Sequence, residues 1–352
     1  MDKMFWIFLF TLVFFRILKT RPIYTNGDRI RITTTVSSEP VKYETSQYIK
    51  LAGLVTYLPI FPEIGYGDKV VVEGRVDGKK LKSSTLTSVK KTDNILAGFR
   101  KKLIDFFKTS LPEPHSSLMG GIVLGAKSSF PEKFWNNLRT TGTTHVVVAS
   151  GMNVTFVAKF LISVLVLFVS RKKAVILAVL GVWIYAFLSG FDPPIVRAAV
   201  MGSIAFSAQA LGRLSTAGRA LFLSALLMLI IWPAWITDLG FILSFVATAS
   251  LMLFERKVAR KVQFVPPVFR EGLSTSLAAQ IGVAPILFAT FGQFNVISPL
   301  INALILWTVA PIMIIGATAS FVSLFWVGLA RIILYLSFPL TSWFVWIVEV
   351  FS

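Results

Sequence analysis

Two patterns of apolar and polar positions divide this chain. Between residues 25 and 91, short segments alternate with period two: DRIRITTTV, SQYIKLAGLVTYL, DKVVVEGRV and LKSSTLTSV, separated by SSEP, GYGD and DGKK. Alternation broken by Gly, Pro and Asp predicts antiparallel strands with one wet face, and a small barrel fits. From His145 onward the pattern becomes a series of apolar runs at 146–169, 174–189, 195–211, 220–231, 239–254, 277–291 and 297–317, followed by an apolar tail to 352. These predict membrane spans, several shorter than the roughly 20 residues that a perpendicular helix needs, so tilt or broken helices must compensate. The fold class read from the pattern is a polytopic α-helical membrane protein with a small N-terminal β domain.

The segments on either side of the β pattern complete the division. Residues 5–18 are an apolar run with Lys3 before it and Arg16, Lys19 and Arg21 after it, without a small-residue cleavage site. It reads as an uncleaved anchor. Residues 95–111, ILAGFRKKLIDFFKTSL, place Ile95, Phe99, Leu103 and Phe106 on one helical stripe and leave Arg100, Lys101, Lys102 and Lys108 off it. Such a helix either lies in the membrane interface or packs on the bundle. Residues 116–125, SSLMGGIVLG, are apolar but too short to span, and predict a re-entrant or broken helix with glycines for close packing. The organisation is therefore an anchor over 1–24, a β domain over 25–92, amphipathic and re-entrant helices over 93–144 and a polytopic domain over 145–352.

The chain is organised around residues 138–157, LRTTGTTHVVVASGMNVTFV. A polar Thr-rich turn here leads into an apolar helix interrupted by Ser150, Gly151 and Asn153. Unsatisfied polar groups in hydrocarbon cost several kcal/mol each, so the stretch is expected to line an intramembrane cavity covered by protein or water. Gly151 then permits close approach of a backbone or strand.

Composition strengthens the membrane reading and charge orients it. Of 352 residues, 55% are hydrophobic and 15% charged, with a mean hydropathy of +0.73. The net charge of +18 must sit in loops and in the β domain. Arg171, Lys172 and Lys173 share one loop, Arg213 and Arg219 another, and Arg256, Lys257, Arg260, Lys261 and Arg270 a third, whereas GFDPP and PAWITD between them carry no Lys or Arg. By the positive-inside rule the basic loops are cytoplasmic, which puts the His145 end and the β domain on the extracytoplasmic side of the cytoplasmic membrane; the Arg16, Lys19 and Arg21 cluster argues the opposite way.

Chemistry-bearing residues are sparse. Cysteine is absent and His115 and His145 are the only histidines, which excludes thiolate and His-rich metal sites and calls for no cofactor. Ser150 lies in VVASGMN and not in a nucleophile elbow, and no Gly-rich phosphate loop appears, so neither an enzyme activity nor nucleotide hydrolysis is expected. Candidates for a polar path are Thr144, His145, Ser150, Gly151, Asn153, Asp192, Arg197, Asp238, Gln280 and Asn302. Each has a structural alternative: His145 as a packing residue, Asp192 and Arg197 as an ion pair, Asp238 as a helix N-cap, and Gln280 and Asn302 as interhelical glue.

Four collinear segments carry a resemblance: LMGGIVLGAKSSFPEKFWNNLRTTGTTHVVVASGMNVTFVA, LSGFDPPIVRAAVMG, DLGFILSFVAT and AAQIGVAPILFATFGQFNVISPLIN. The chain resembles the ComEC-type competence family over about residues 98–310, and its β segments ending in GDKVVVEGRV resemble that family's small OB-like barrel domain. The resemblance implies a channel in the inner membrane that moves single-stranded DNA during natural transformation. On that reading Arg29, Arg31, Lys50, Arg75, Lys79, Lys80 and Lys82 are candidate DNA contacts, although eleven basic against seven acidic residues in the β segment leave only a modest positive excess. Asn153 replaces the second histidine usual in the family's S-G-x-H segment, and Ile242 replaces the glutamine usual after G-F, so roles attached to those groups do not transfer. No metallo-β-lactamase-like domain accompanies these segments, so the expected partners are DNA, membrane lipid, a separate nuclease and a cytoplasmic ATP-driven motor. A permease or flippase for a small or lipidic substrate is the alternative, and a membrane hydrolase built on His145 with Ser150 or Asp192 the third reading.

Overall fold

The computed structural model describes residues 3–19, 25–36, 40–42, 45–51, 53–65, 67–78, 80–91, 95–127, 130–148, 150–210, 216–292 and 295–352. Arg21, Lys79 and Arg213, singled out above, lie outside them. The β pattern folds as β1 (Arg29–Thr35), β2 (Val41–Lys42), β3 (Ser46–Leu51), β4 (Leu54–Pro59), β5 (Lys69–Asp77) and β6 (Lys80–Lys90). They form one sheet in the order β1-β5-β6-β4-β3-β2, antiparallel except for β4 against β6. Period-two alternation holds: Val70, Val72 and Val76 point inward from β5 against Ile49, Leu51, Leu58 and Leu81, as expected of a sheet with one buried face. The alternating segment SQYIKLAGLVTYL is a hairpin of β3 and β4, turned where Gly53 takes a φ of +88°. Edge strands β1 and β2 are not paired to each other among the described residues, so the sheet is open in its hydrogen bonding.

The remainder is helical: α1 (Lys3–Lys19), then α2 (Ile95–Ser110), α3 (His115–Leu124), α4 (Glu132–Thr140), α5 (Thr144–Val147), α6 (Gly151–Leu165), α7 (Arg171–Leu188), α8 (Pro193–Ala210) and α9 (Ala217–Ile231). After a 3-10 turn at Pro233–Thr237 come α10 (Leu239–Lys261), α11 (Pro267–Phe291), α12 (Ser298–Ser323), α13 (Val327–Tyr335) and α14 (Phe338–Val350). Among the described residues four stretches are long and apolar enough to cross a membrane, Thr144–Leu165 (α5 with α6), α10, Pro267–Thr290 and α12; a fifth follows if α13 and α14, bent by 47°, form one span. Many large apolar side chains face outward, among them Phe168, Ile176, Leu180 and Leu253, as a lipid-facing surface requires.

At the centre lies α3, whose residues from Ser116 to Leu124 are all buried. It stops because Gly125 turns left-handed at φ +66°, with its own N–H and that of Ala126 returning to Gly121 and Gly120 carbonyls. Two glycines allow its neighbours to come close. A Cβ on Gly316 of α12 would sit 2.5 Å from Met119 Sδ, and one on Gly121 would sit 2.7 Å from Val147 Cγ1. The α2 helix packs on this bundle through Leu103 and Phe107, while Ile95 is exposed. Arg100 departs from the expected wet face: it is buried and donates to the Leu124 carbonyl at 3.2 Å.

The β domain joins the helices at one end of the bundle. Lys50 pairs with Asp238, the residue that also caps α10 by accepting from Phe241 N at 3.1 Å. Beside it, α1 runs parallel to α9, with Phe10 against Phe222 at 5.7 Å and Arg16 Nε donating to the Ile230 carbonyl at 3.1 Å. Phe191 meets Trp232 edge-on at 5.4 Å, which brings the GFDPP turn to the same end. Both turns that lack Lys and Arg therefore stand with the β domain.

Two substitutions test this packing. Gly316→Val should lower stability by about 1–3 kcal/mol, since its side chain must displace Val123 as well as the flexible Met119. Thermal unfolding of the detergent-purified protein would show it, and an unchanged midpoint would mean that α3 and α12 are not so closely packed. Asp238→Asn keeps a capping oxygen and loses the Lys50 pair, at a cost of about 1 kcal/mol or less for a partly exposed pair. Asp238→Ala loses both and should cost about 1–2 kcal/mol, so the expected order of midpoints is wild type, Asn, Ala.

Candidate functional site: an interrupted helix and its polar neighbours

The central stretch is a helix broken twice. The α4 helix ends where Thr143 N returns to the Leu138 carbonyl at 2.9 Å and Gly142 adopts a φ of +70°. A side chain at Gly142 would stand 2.9 Å from Ser298 Oγ, so both conformation and space require glycine. Thr141 and Thr143 are fully buried and satisfy each other at 2.8 Å, which makes them structural and not wet. After one turn of α5 the chain extends at Val148 and at Ser150, and α6 begins.

The turn docks on the connection between α11 and α12. Asn295 donates to the Thr140 carbonyl at 2.6 Å, and Ser298 Oγ donates to the Gly142 carbonyl at 3.4 Å. His145 Nδ1 lies 2.9 Å from that same carbonyl, which makes His145 the donor, and its ring is exposed at the surface of the node. Gln280 donates to the Asn295 carbonyl at 3.1 Å, and Asn302 to Ser276 Oγ at 2.9 Å. Gln280 sits near the middle of the 25-residue α11, so this polar node lies beside the middle of that helix and at the start of α12. Thr144, His145, Gln280 and Asn302 are thus brought together, with Asn295 as the centre that the sequence did not single out.

Ser150, Gly151, Asn153 and Arg197 form a second group. Asn153 is fully buried and donates to the Ile122 carbonyl at 2.9 Å, tying α6 to α3; it does not face water as expected. Ser150 Oγ donates to Asn153 Oδ1 at 3.2 Å. What approaches Gly151 is the guanidinium of Arg197: a Cβ there would lie 2.5 Å from Arg197 Nη2 and 3.4 Å from the Ala198 Cβ. Arg197 Nε is buried and has no hydrogen-bond partner among the described residues. Nearby, the buried Tyr185 hydroxyl on α7 lies close to Ser189, just after that helix, and to Asn153.

The two aspartates lie elsewhere. Asp192 pairs with Lys127 and not with Arg197, and Asp238 pairs with Lys50. Lys127 follows the buried α3, and nothing in its own sequence context, LGAKSS, marks it as the partner of a residue 65 positions away.

On the β domain, register lines up three of the candidate contacts. Arg29 lies opposite Arg75 on β5, and Arg75 opposite Lys82 on β6, all exposed, so three cations cross the sheet in one row. Acids flank the row. Glu73 stands 3.8 Å from Arg29 and 3.7 Å from Arg31, and Asp77 pairs with Lys82, whose ammonium holds the Asp77 carboxyl below the usual carboxylate range. Lys80 is exposed at the start of β6, opposite Asp77, whereas Lys50 faces Asp238. Among the described residues no group of three or more His, Cys, Asp or Glu side chains is placed to hold a metal.

Comparison with known proteins agrees with the sequence segments that run through this site. Over 236 residues the chain is 28% identical to ComE operon protein 3 of Bacillus subtilis (strain 168), covering 64% of this chain and 30% of that protein. It is 28% identical to Competence protein ComA of Neisseria gonorrhoeae over 227 residues, 59% of this chain and 31% of that one. An uncharacterized protein of Aquifex aeolicus (strain VF5) is 28% identical over 204 residues, 57% of this chain and 46% of that one. The chain thus spans under half the length of these relatives, and no solved structure matches it. The family model described as Competence protein matches residues 122–352, from inside α3 through α14, and so this chain belongs to the competence protein family.

Proposed function

We propose that this protein moves single-stranded DNA across the cytoplasmic membrane during natural transformation, as a channel and not as an enzyme. The observation that carries the reading is the family match over a region whose helix is interrupted inside an apolar bundle, with the half-buried Arg197, its Nε fully enclosed, against the interruption. A nucleic-acid strand carries one negative charge per nucleotide, and a channel for it needs polar or cationic groups where a lipid-facing helix would have none. The broken α5–α6 segment, with Arg197, Gln280 and Asn302 around it, supplies them.

In this reading the β domain is an OB-like barrel standing on the extracytoplasmic side, and its Arg29, Arg75 and Lys82 row meets the incoming DNA. The positive-inside rule favours that side, because the domain stands at the end of the bundle whose turns lack Lys and Arg. Flanking Glu73 and Asp77 keep the contact weak and salt-dependent. Energy for inward movement comes from a cytoplasmic ATP-driven motor, and the other strand is degraded by a nuclease.

Two measurements test this. Cells deprived of the chain should lose internalised label from duplex DNA and regain it when the chain is restored, while DNA bound outside the cell persists. Unchanged internalisation would favour the permease or flippase reading instead. Because the chain has no cysteine, single cysteines at Lys80 and Lys172 report orientation directly. An impermeant maleimide should label the Lys80 position in intact cells and the Lys172 position only after lysis; the reverse pattern would place the β domain inside.

A further inference from the structure

Arg197 is the charged residue of the second group, and among the described residues no acid pairs with it. It belongs to the first turns of α8 and reaches the first turn of α6, where only the missing side chain of Gly151 makes room for its guanidinium. The Arg197 Nε is buried without a partner among the described residues, and the aspartates on that end of the bundle are taken: Asp192 by Lys127 and Asp238 by Lys50. An uncompensated buried cation is costly, and replacing one by an apolar side chain of similar size is commonly neutral or stabilising. An end of the bundle that spends both aspartates on lysines and leaves the enclosed Arg197 Nε without a partner has a place for an anion from outside.

The first turn of α6 supplies the other half of that place. Among the described residues no side chain caps this helix, and its first backbone bonds run from Asn153 N and Val154 N to the Ser150 carbonyl, which leaves the Gly151 and Met152 N–H groups as donors beside the guanidinium. A 15-residue helix also directs the positive end of its dipole there. Arginine's planar fork with helix N-terminal amides fits a phosphate oxygen pair.

We propose that Arg197 and the start of α6 form a binding site for one phosphodiester group, held transiently as the strand passes. The assignment rests on the DNA-channel reading for the source of that phosphodiester; a phospholipid headgroup carries the same chemistry. Arg197 is then a substrate-contacting residue, and Gly151 the positioning residue that lets it stand at the helix start.

The test uses the full chain, in cells and purified in a nonionic detergent. Arg197→Met should leave the amount of membrane-embedded protein at or above the wild-type level, while DNA internalised per embedded molecule falls about tenfold or more, the order of one lost charge-assisted contact. Gly151→Ala, which keeps the arginine and displaces it, should fall in the same direction, and Arg197→Lys should recover part of the loss. In detergent, a short single-stranded oligodeoxynucleotide with its natural backbone should bind wild type more tightly than the same sequence with an uncharged methylphosphonate backbone. Arg197→Met should abolish that preference. A preference undiminished in Arg197→Met, or uptake per embedded molecule equal to wild type, overturns the site. Loss of embedded protein in both Arg197→Met and Arg197→Lys overturns it in favour of a structural arginine. If anionic phospholipid suppresses the wild-type preference and stabilises wild type but not Arg197→Met, the phosphodiester is a headgroup and the strand assignment falls. Failure of the channel reading itself looks different, since wild type would then neither restore uptake nor bind either oligonucleotide.

Discussion

A helix interrupted inside an apolar bundle needs partners for the backbone groups freed by the break, because each one left alone costs several kcal/mol away from water. Much of this structure follows from meeting that requirement at the turn between α4 and α5. The Thr140 carbonyl goes to Asn295, the Gly142 carbonyl to Ser298 and His145, and the Leu138 carbonyl to Thr143 N. Asn295 cannot reach Thr140 unless α11 and α12 are connected beside the break, and Gln280 holds that connection by donating to the Asn295 carbonyl. The position of three helices is therefore set by the hydrogen bonding of one five-residue turn.

The same economy explains why so many small residues surround α3. A buried ten-residue helix cannot span a membrane and must be walled in by protein. Gly121 and Gly316 remove the side chains that would hold Val147 and α12 away from it, and Asn153 reaches the Ile122 carbonyl near its C-terminus. The α6 helix starts next to that point, so the packing that satisfies α3 also fixes where Gly151 meets Arg197.

Much of this was legible in the sequence, and the parts that were not share a physical cause. Period-two alternation located the strands, glycine and proline located most breaks, and the apolar segment at 116–125 was readable as too short to cross. The polar residues at 138–157 marked the interrupted helix, but their burial could not be read: Asn153 and the two inner threonines have the same chemistry whether they face water or a carbonyl. Arg100 shows the converse, since helical periodicity assigned it to a wet face while a free carbonyl at Leu124, invisible to any pattern, drew it inward. The pairing of Asp192 with Lys127, and not with the nearer Arg197, is a tertiary choice made across 65 residues, and spacing along one helix is no guide to it.

Charge placement links the two halves of the molecule. Arg16 and Lys19 at the end of α1 argue, as a local cluster, for a cytoplasmic end, yet α1 runs parallel to α9 and delivers Arg16 to the Ile230 carbonyl beside the Asp238 turn. An arginine whose guanidinium is engaged by a helix C-terminus answers a helix dipole first. Its weight as a topological signal is reduced accordingly, whereas Lys172 lies in the first turn of α7 and Arg260 and Lys261 in the last turn of α10. The Lys50–Asp238 pair then completes the chain of placement: β3 is held to the residue that caps α10, so the sheet cannot stand at the opposite end without breaking that pair. The β domain therefore stands at the same end of the bundle as the start of α10.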